Sequence, residues 1–174
     1  MKKFLIILMV LVVIILAGSA AAFFVYKNKA VENARDFYNK IQNEHISDYG
    51  YSSAMMDDLN ENMDKINQYI SSGVSYKQIK ELDELVQQSE TLYIRIFNDY
   101  KDGVGEGISD SAYYVSETAS QYGLDNAPYA EIFSERVTNK FEQAKTFKEL
   151  NEVSAESGKV FSELLEQIKQ DAGK

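Results

Sequence analysis

Residues 77–100 read KQIKELDELVQQSETLYIRIFNDY. Within them Ile79, Leu82, Val86, Ser89, Tyr93, Ile96 and Tyr100 recur at alternating steps of three and four, the repeat of one helix face. Leu85, Leu92 and Phe97 widen that stripe beyond a two-stranded seam, as a helix in a bundle core requires. No segment of the chain alternates apolar and polar residues long enough to suggest a sheet. Pro128 is the single proline, and strong helix formers abound. The fold class is therefore all-α.

Upstream, Ser75-x-x-Gln78 reads as a capping box for this helix, and Ser71-Ser72-Gly73 as the end of the one before it. That preceding helix carries Met56, Leu59, Met63, Ile66 and Ile70 at steps of 3-4-3-4, a heptad seam. The short loop between the two predicts an antiparallel pair. Asp48–Tyr51, DYGY, turns the chain, and Ser52 or Ser53 is placed to cap the helix that follows.

Further upstream lies FLIILMVLVVIILAGSAAAFFVY, Phe4–Tyr26. Its 23 residues hold no charge and no proline, between Lys2-Lys3 and Lys27 with Lys29. A helix of that length rises about 34 Å, enough for a hydrocarbon core of about 30 Å. Ala20-Ala21-Ala22 also fits a secretory cleavage pattern. The apolar run nevertheless continues through Phe23, Phe24, Val25 and Tyr26, aromatics that suit an interfacial belt. An uncleaved anchor over residues 1–26 is preferred, with a cleaved signal as the alternative. The flanking lysines nearly balance. The export-like start of the chain favours an extracytoplasmic domain over residues 27–174. Val31, Ala34, Phe37 or Tyr38, and Ile41 predict that the apolar helix runs on as a rod to about residue 45.

Downstream, Gly103, Gly105 and Gly107 predict the end of the third helix, in a hinge or wide turn. They do not make a phosphate loop: a helix precedes them, no G-K-[ST] follows, and Glu106 stands where phosphate would lie. Asp99, Asp102, Glu106 and Asp110 surround these glycines. Their spacing departs from that of a calcium loop, so they read as a solvated acidic turn. Ile108, Ala112, Val115, Ala119 and Tyr122 mark a fourth helix stopped by Gly123. Asp125 or Asn126 with Pro128 starts a fifth, carrying Ile132, Phe133, Val137, Phe141 and Ala144. Thr146-x-x-Glu149 caps the last, which buries Phe147, Leu150, Phe161, Leu164 and Ile168. The whole reads as an N-terminal transmembrane helix followed by an antiparallel bundle of about five helices.

The 148 residues after Tyr26 suffice for one domain with a real core. The absence of cysteine excludes disulfides and thiolate metal sites. Beyond Lys3, 16 basic residues face 27 acidic ones. That balance disfavours nucleic acid and anionic lipid as partners of the domain. His45 is the single histidine, at the end of a polar helix, and no G-x-S-x-G segment accompanies any serine. No catalytic, cofactor or metal residues are assigned, and an enzyme is not expected.

Tyrosine is the unusual enrichment, twelve against no tryptophan. Tyr93, Tyr100 and Tyr122 fall on seams. Tyr49, Tyr51, Tyr113, Tyr114 and Tyr129 fall near expected loops or helix ends, where aromatics favour a binding partner. The charged start, single span and helical domain loosely resemble LemA-type membrane proteins over about the first thirty residues. The basic Arg-Arg-Ala-Asp-Leu-Ile-Pro-Asn stretch expected after the span is missing. The glycine processing site and nearby glutamate of type IV pilins are absent too. The functional expectation is a non-enzymatic interaction or accessory subunit, anchored in the membrane and binding an envelope protein. The alternative is a domain that captures a small ligand, cation or glycan.

Overall fold

The computed structural model describes residues 2–173, with side chains for Met9 and residues 11–173. The side chains of Lys2, Lys3 and Phe4 to Leu8 lie outside the described residues, as does Lys174 in the expected polar tail. Among the described residues six α-helices follow one another: α1 (Lys2–Glu44), α2 (Ala54–Ser72), α3 (Tyr76–Gln121), α4 (Ala127–Phe133), α5 (Asn139–Gln143) and α6 (Phe147–Asp171). A 3-10 turn, Ile46–Tyr49, precedes α2, and a π-helical turn, Ser134–Thr138, joins α4 to α5. Strands are absent among the described residues.

The expected rod is present, since α1 has no break between Lys2 and Glu44. Its residues 11–22 are exposed throughout, and it is long and apolar enough to cross a membrane. The expected break at Gly103–Gly107 is not there. The third and fourth helices of the sequence reading are one helix, α3, running through all three glycines to Gln121. Each interior glycine costs about 1 kcal/mol relative to alanine, but tertiary packing outweighs propensity. Buried Ile96 and Ile108 flank the run on either side. The helix ends where Gly123, at φ +75°, lets its N–H reach Ser120 O and the Leu124 N–H reach Ala119 O. This is a Schellman cap.

The chain divides into two compact units, Met1–Asn43 with Ser53–Tyr93, and Glu44–Ser52 with Ile94–Lys174. The division falls inside α3, so each unit owns part of that helix.

In the first unit the Phe23 and Tyr76 rings lie 5.4 Å apart. Tyr26 Oη donates to Asp83 Oδ2 at 2.5 Å, and Lys40 Nζ sits 4.5 Å from the centre of the Tyr93 ring. Both partners in these pairs advance together, so α1 and α3 run parallel. The turn at Gly73 (φ +82°) reverses α2 against α3, and Tyr69 Oη donates to Glu81 Oε2 across it at 3.0 Å. The result is an up-down-up trio. Its buried stripes are Ala30, Ala34, Phe37 and Ile41 on α1; Met56, Leu59, Met63 and Ile66 on α2; and Ile79, Leu82, Val86, Ser89 and Tyr93 on α3. Ser53 caps α2 by accepting the Met56 N–H at 3.3 Å.

The second unit repeats the pattern with the later part of α3 and the helices that follow it. The Phe97 and Tyr100 rings stand 5.3 and 5.4 Å from the Phe147 ring at the start of α6. Lys101 Nζ donates to Ala144 O at 3.4 Å, and Tyr129 Oη donates to Asp171 Oδ2 at 2.6 Å. Thus α3 and α6 run parallel, with α4, the π turn and α5 returning between them. Ile108, Val115, Ala119, Tyr129, Phe133, Val137, Val153, Val160, Leu164 and Ile168 form its core. The capping box is complete: Thr146 Oγ1 accepts the Glu149 N–H at 3.2 Å while Glu149 Oε2 accepts the Thr146 N–H at 3.1 Å.

Candidate functional site

The second unit carries an open cleft of about 490 Å³ between α3 and α6. Its α3 wall is Asp99, Tyr100, Gly103, Val104, Gly107, Ile108 and Ser111; its α6 wall is Ser154, Ser157 and Gly158; Tyr51 closes one end. Gly103, Gly107 and Ser111 follow at steps of four, as do Ser154 and Gly158, so each set lies on one face of its helix. Each wall therefore carries a low ridge of small residues, which on α3 runs beside the larger Tyr100, Val104 and Ile108.

The glycines separate into two kinds. A Cβ added to Gly105 would lie 2.9 Å from Phe141 Cζ, so this glycine admits the α5 ring. Added to Gly103, Gly107 or Gly158, a Cβ would meet nothing within 4 Å. These three occupy helix interiors at a cost of about 1 kcal/mol each. No internal packing asks for them, and all three border the cleft.

At the closed end Tyr51 Oη donates to Asp99 Oδ2 at 2.5 Å, and the Tyr51 ring meets Tyr100 edge-on with centroids 6.0 Å apart. Burial, and then the proximity of Tyr49, pushes the Tyr100 phenol above its ordinary value. Ser157 is 4% exposed and makes no hydrogen bond among the described residues. No sealed side-chain polar atom lacks a partner there, so Ser157 Oγ opens to the cleft it lines. The site thus offers a carboxylate, two phenol rings, serine hydroxyls and bare helix backbone. A nucleophile paired with a general base is not among these groups.

The five tyrosines singled out in the sequence have different surroundings. Tyr51 lies at the cleft end, half-buried, and Tyr49 is half-buried in the 3-10 turn before it. Tyr113 and Tyr114 are 62% and 55% exposed, their rings crossed 5.8 Å apart. They lie inside α3 rather than near a loop, a consequence of the unbroken helix. Tyr114 follows Ser111 by three residues, on the same side of α3 as the small-residue ridge. Tyr129 is 6% exposed within the core. Its hydroxyl is committed to Asp171, a bond that raises the phenol above its ordinary value. It is a packing residue and offers no surface to a partner.

The expected acidic turn does not form, because Asp99, Asp102, Glu106 and Asp110 are all on α3. Asp99 is bonded to Tyr51 at the cleft, and no three such groups converge among the described residues. His45 stands exposed beside Asp48, with Nδ1 3.8 Å from the carboxylate. Sequence reasoning missed the cleft because it took the glycines for a hinge. The signal was present in the four-residue spacing of Gly103, Gly107 and Ser111.

A second group lies on the other side of α6. From the π turn, Arg136 reaches two carboxylates two turns apart, Glu163 at 2.7 Å and Glu156 at 3.0 Å. The hydrogen bond from Arg136 holds Glu156 below its ordinary range. Glu156 also borders a shallow depression of about 480 Å³ with Lys140, Glu149 and Glu152. Glu149 is already used in the capping box, so this depression reads as structural.

Compared with protein-family models, curated proteins and solved structures, the chain matches none.

Proposed function

We propose that this chain is a non-enzymatic interaction subunit, anchored by α1 and exposing its helical units on the extracytoplasmic side. Its α3–α6 cleft receives a helix of another envelope protein. The observation that carries this reading is the trio Gly103, Gly107 and Gly158, which border one cleft with nothing near their absent side chains. Together they forgo about 3 kcal/mol of helix propensity, a sizeable share of the 5–15 kcal/mol typical of a folded domain. A partner backbone packing at close range would offset that cost. Ridges of small residues at four-residue spacing admit such an approach. The long apolar α1 supports the anchor.

The test is site-specific photo-crosslinking from Ser154, an exposed residue on the cleft wall, in host membranes. A discrete protein adduct is expected, and it should vanish in Gly107→Leu while the melting temperature does not fall. Absence of any adduct from Ser154 counts against the helix-receiving cleft. Cleavage within residues 27–174 by protease from the cytoplasmic side alone would overturn the topology.

A second reading is capture of a small polar ligand. The Tyr51–Asp99 pair and the open Ser157 hydroxyl favour it, and the cleft volume lies within the range of such sites. It requires ligand-dependent thermal stabilisation that follows the logarithm of ligand over its dissociation constant. Asp99→Asn should remove that stabilisation.

A further inference from the structure

In the first unit the tip of the α2–α3 hairpin is distinct in both position and charge. Tyr76 opens α3 with its ring 5.4 Å from Phe23, and one turn of α1 later Tyr26 is bonded to Asp83. The hairpin tip therefore lies at the level of residues 23–26 of α1. Counted from Phe4, a helix reaches about 30 Å by Phe23, the thickness of a hydrocarbon core. At that level Phe24, Tyr26 and Tyr76 are 61%, 53% and 76% exposed.

Charge sorts the same way. The chain has 27 carboxylate side chains, yet the first is Glu32, and none occurs between Asp64 and Glu81. The hairpin tip from Ser71 to Lys80 thus carries no acid and holds Lys77. Up to Val31, α1 contributes Lys27 and Lys29 but no acid, Asp83 reaching this level through its bond to Tyr26. The two carboxylates that come next on α3 both accept tyrosine hydroxyls, Glu81 from Tyr69 and Asp83 from Tyr26. The bond to Glu81 raises the Tyr69 phenol above its ordinary value. The turn itself therefore carries none of the negative charge that opposes contact with anionic lipid.

We infer that the α2–α3 turn is a second membrane contact. Tyr76 enters the boundary between acyl chains and headgroups, and Lys77 with Lys27 meets lipid phosphates. The inference rests on the proposed anchoring of α1. It goes further by seating the first unit directly on the lipid surface with no spacer.

The chain contains no tryptophan, so Tyr76→Trp supplies a single fluorescent reporter in the full-length protein. Thr91→Trp, fifteen residues further along α3 and so about 22 Å away along its axis, is the control. Each is reconstituted into phosphatidylcholine–phosphatidylglycerol vesicles, with lipids brominated either near the glycerol or near the chain end. Flotation with the vesicles is expected for both variants. Quenching in the Tyr76→Trp protein should be strongest with bromine near the glycerol, and the Thr91→Trp protein should show none. Flotation without quenching of Tyr76→Trp, or equal quenching in both variants, overturns the second contact and leaves the anchor standing. Failure to float overturns the anchor and the contact with it.

Discussion

Along Tyr76–Tyr93, α3 buries Ile79, Leu82, Val86, Ser89 and Tyr93 at unbroken steps of three and four. Along Ile94–Gln121 the buried positions thin to Ile96, Ile108, Val115 and Ala119. The first half meets its neighbours with a full apolar stripe. The second gives up side chains at Gly103, Gly105 and Gly107, one to Phe141 and two to an open cleft. One helix can therefore serve as core in one unit and as a deliberately thinned wall in the next. Continuity of the backbone says little about what each stretch is for.

The largest test of that contrast substitutes matched core leucines. Leu82→Ala in the first unit and Leu164→Ala in the second remove side chains that are 0% and 2% exposed. Each is expected to cost about 2–5 kcal/mol. Hydrogen exchange should show protection lost first in the helices of the unit that carries the substitution. Equal loss in both units from either change would erase the division.

Next come the caps. Thr146 completes a reciprocal box, whereas the Ser75 hydroxyl donates to Gln78 Oε1 at 2.6 Å and leaves the helix N–H groups aside. Thr146→Ala should cost about 1 kcal/mol, and Ser75→Ala much less, by denaturant titration. Glu149 in the same box is held below its ordinary carboxylate value, first by the Lys145 N–H and then by Thr146. A lowered folded pKa adds stability above the unfolded value, near 4.5, and that stability is lost as pH falls through the folded one. The melting temperature should therefore drop below about pH 4.5, and Glu149→Gln should flatten part of the drop. An unchanged acid limb in that variant would remove Glu149 from the account.

The smallest effects discriminate the glycines. Gly103→Ala, Gly107→Ala and Gly158→Ala should each stabilise the free chain by about 0.5–1 kcal/mol, read as a modest rise in melting temperature. Gly105→Ala should fall short of all three, because its methyl meets the Phe141 ring. The same gain at all four positions would abolish the distinction between packed and unoccupied glycines.

Much of the fold was legible in the sequence. The seam from Ile79 to Ile96 is buried as the three-four rhythm predicts, Tyr100 is half-buried at its end, and Thr146 with Glu149 forms the box its spacing announces. What misled was local chemistry read without its neighbours. Three glycines in five residues look like a break until Ile96, Ile108 and Phe141 hold them in a helix. Tyr129, beside Pro128, looks like a loop residue until Asp171 returns 42 positions later to meet its hydroxyl. The π turn at Ser134–Thr138 left no mark in composition. Within it Arg136 reaches Glu156 and Glu163, contacts that no local spacing announces. The cleft, finally, consists of side chains that are missing, and a pattern of absences gives hydrophobic periodicity nothing to register.

The uninterrupted α1 has a mechanical corollary. Between Tyr26 and Ile41 it contains neither proline nor glycine, so no swivel separates its apolar length from the part that packs with α2 and α3. A span in lipid adapts to bilayer thickness by leaning. In the proposed membrane setting, any lean of the apolar end is passed on to the helices packed against Phe37 and Ile41.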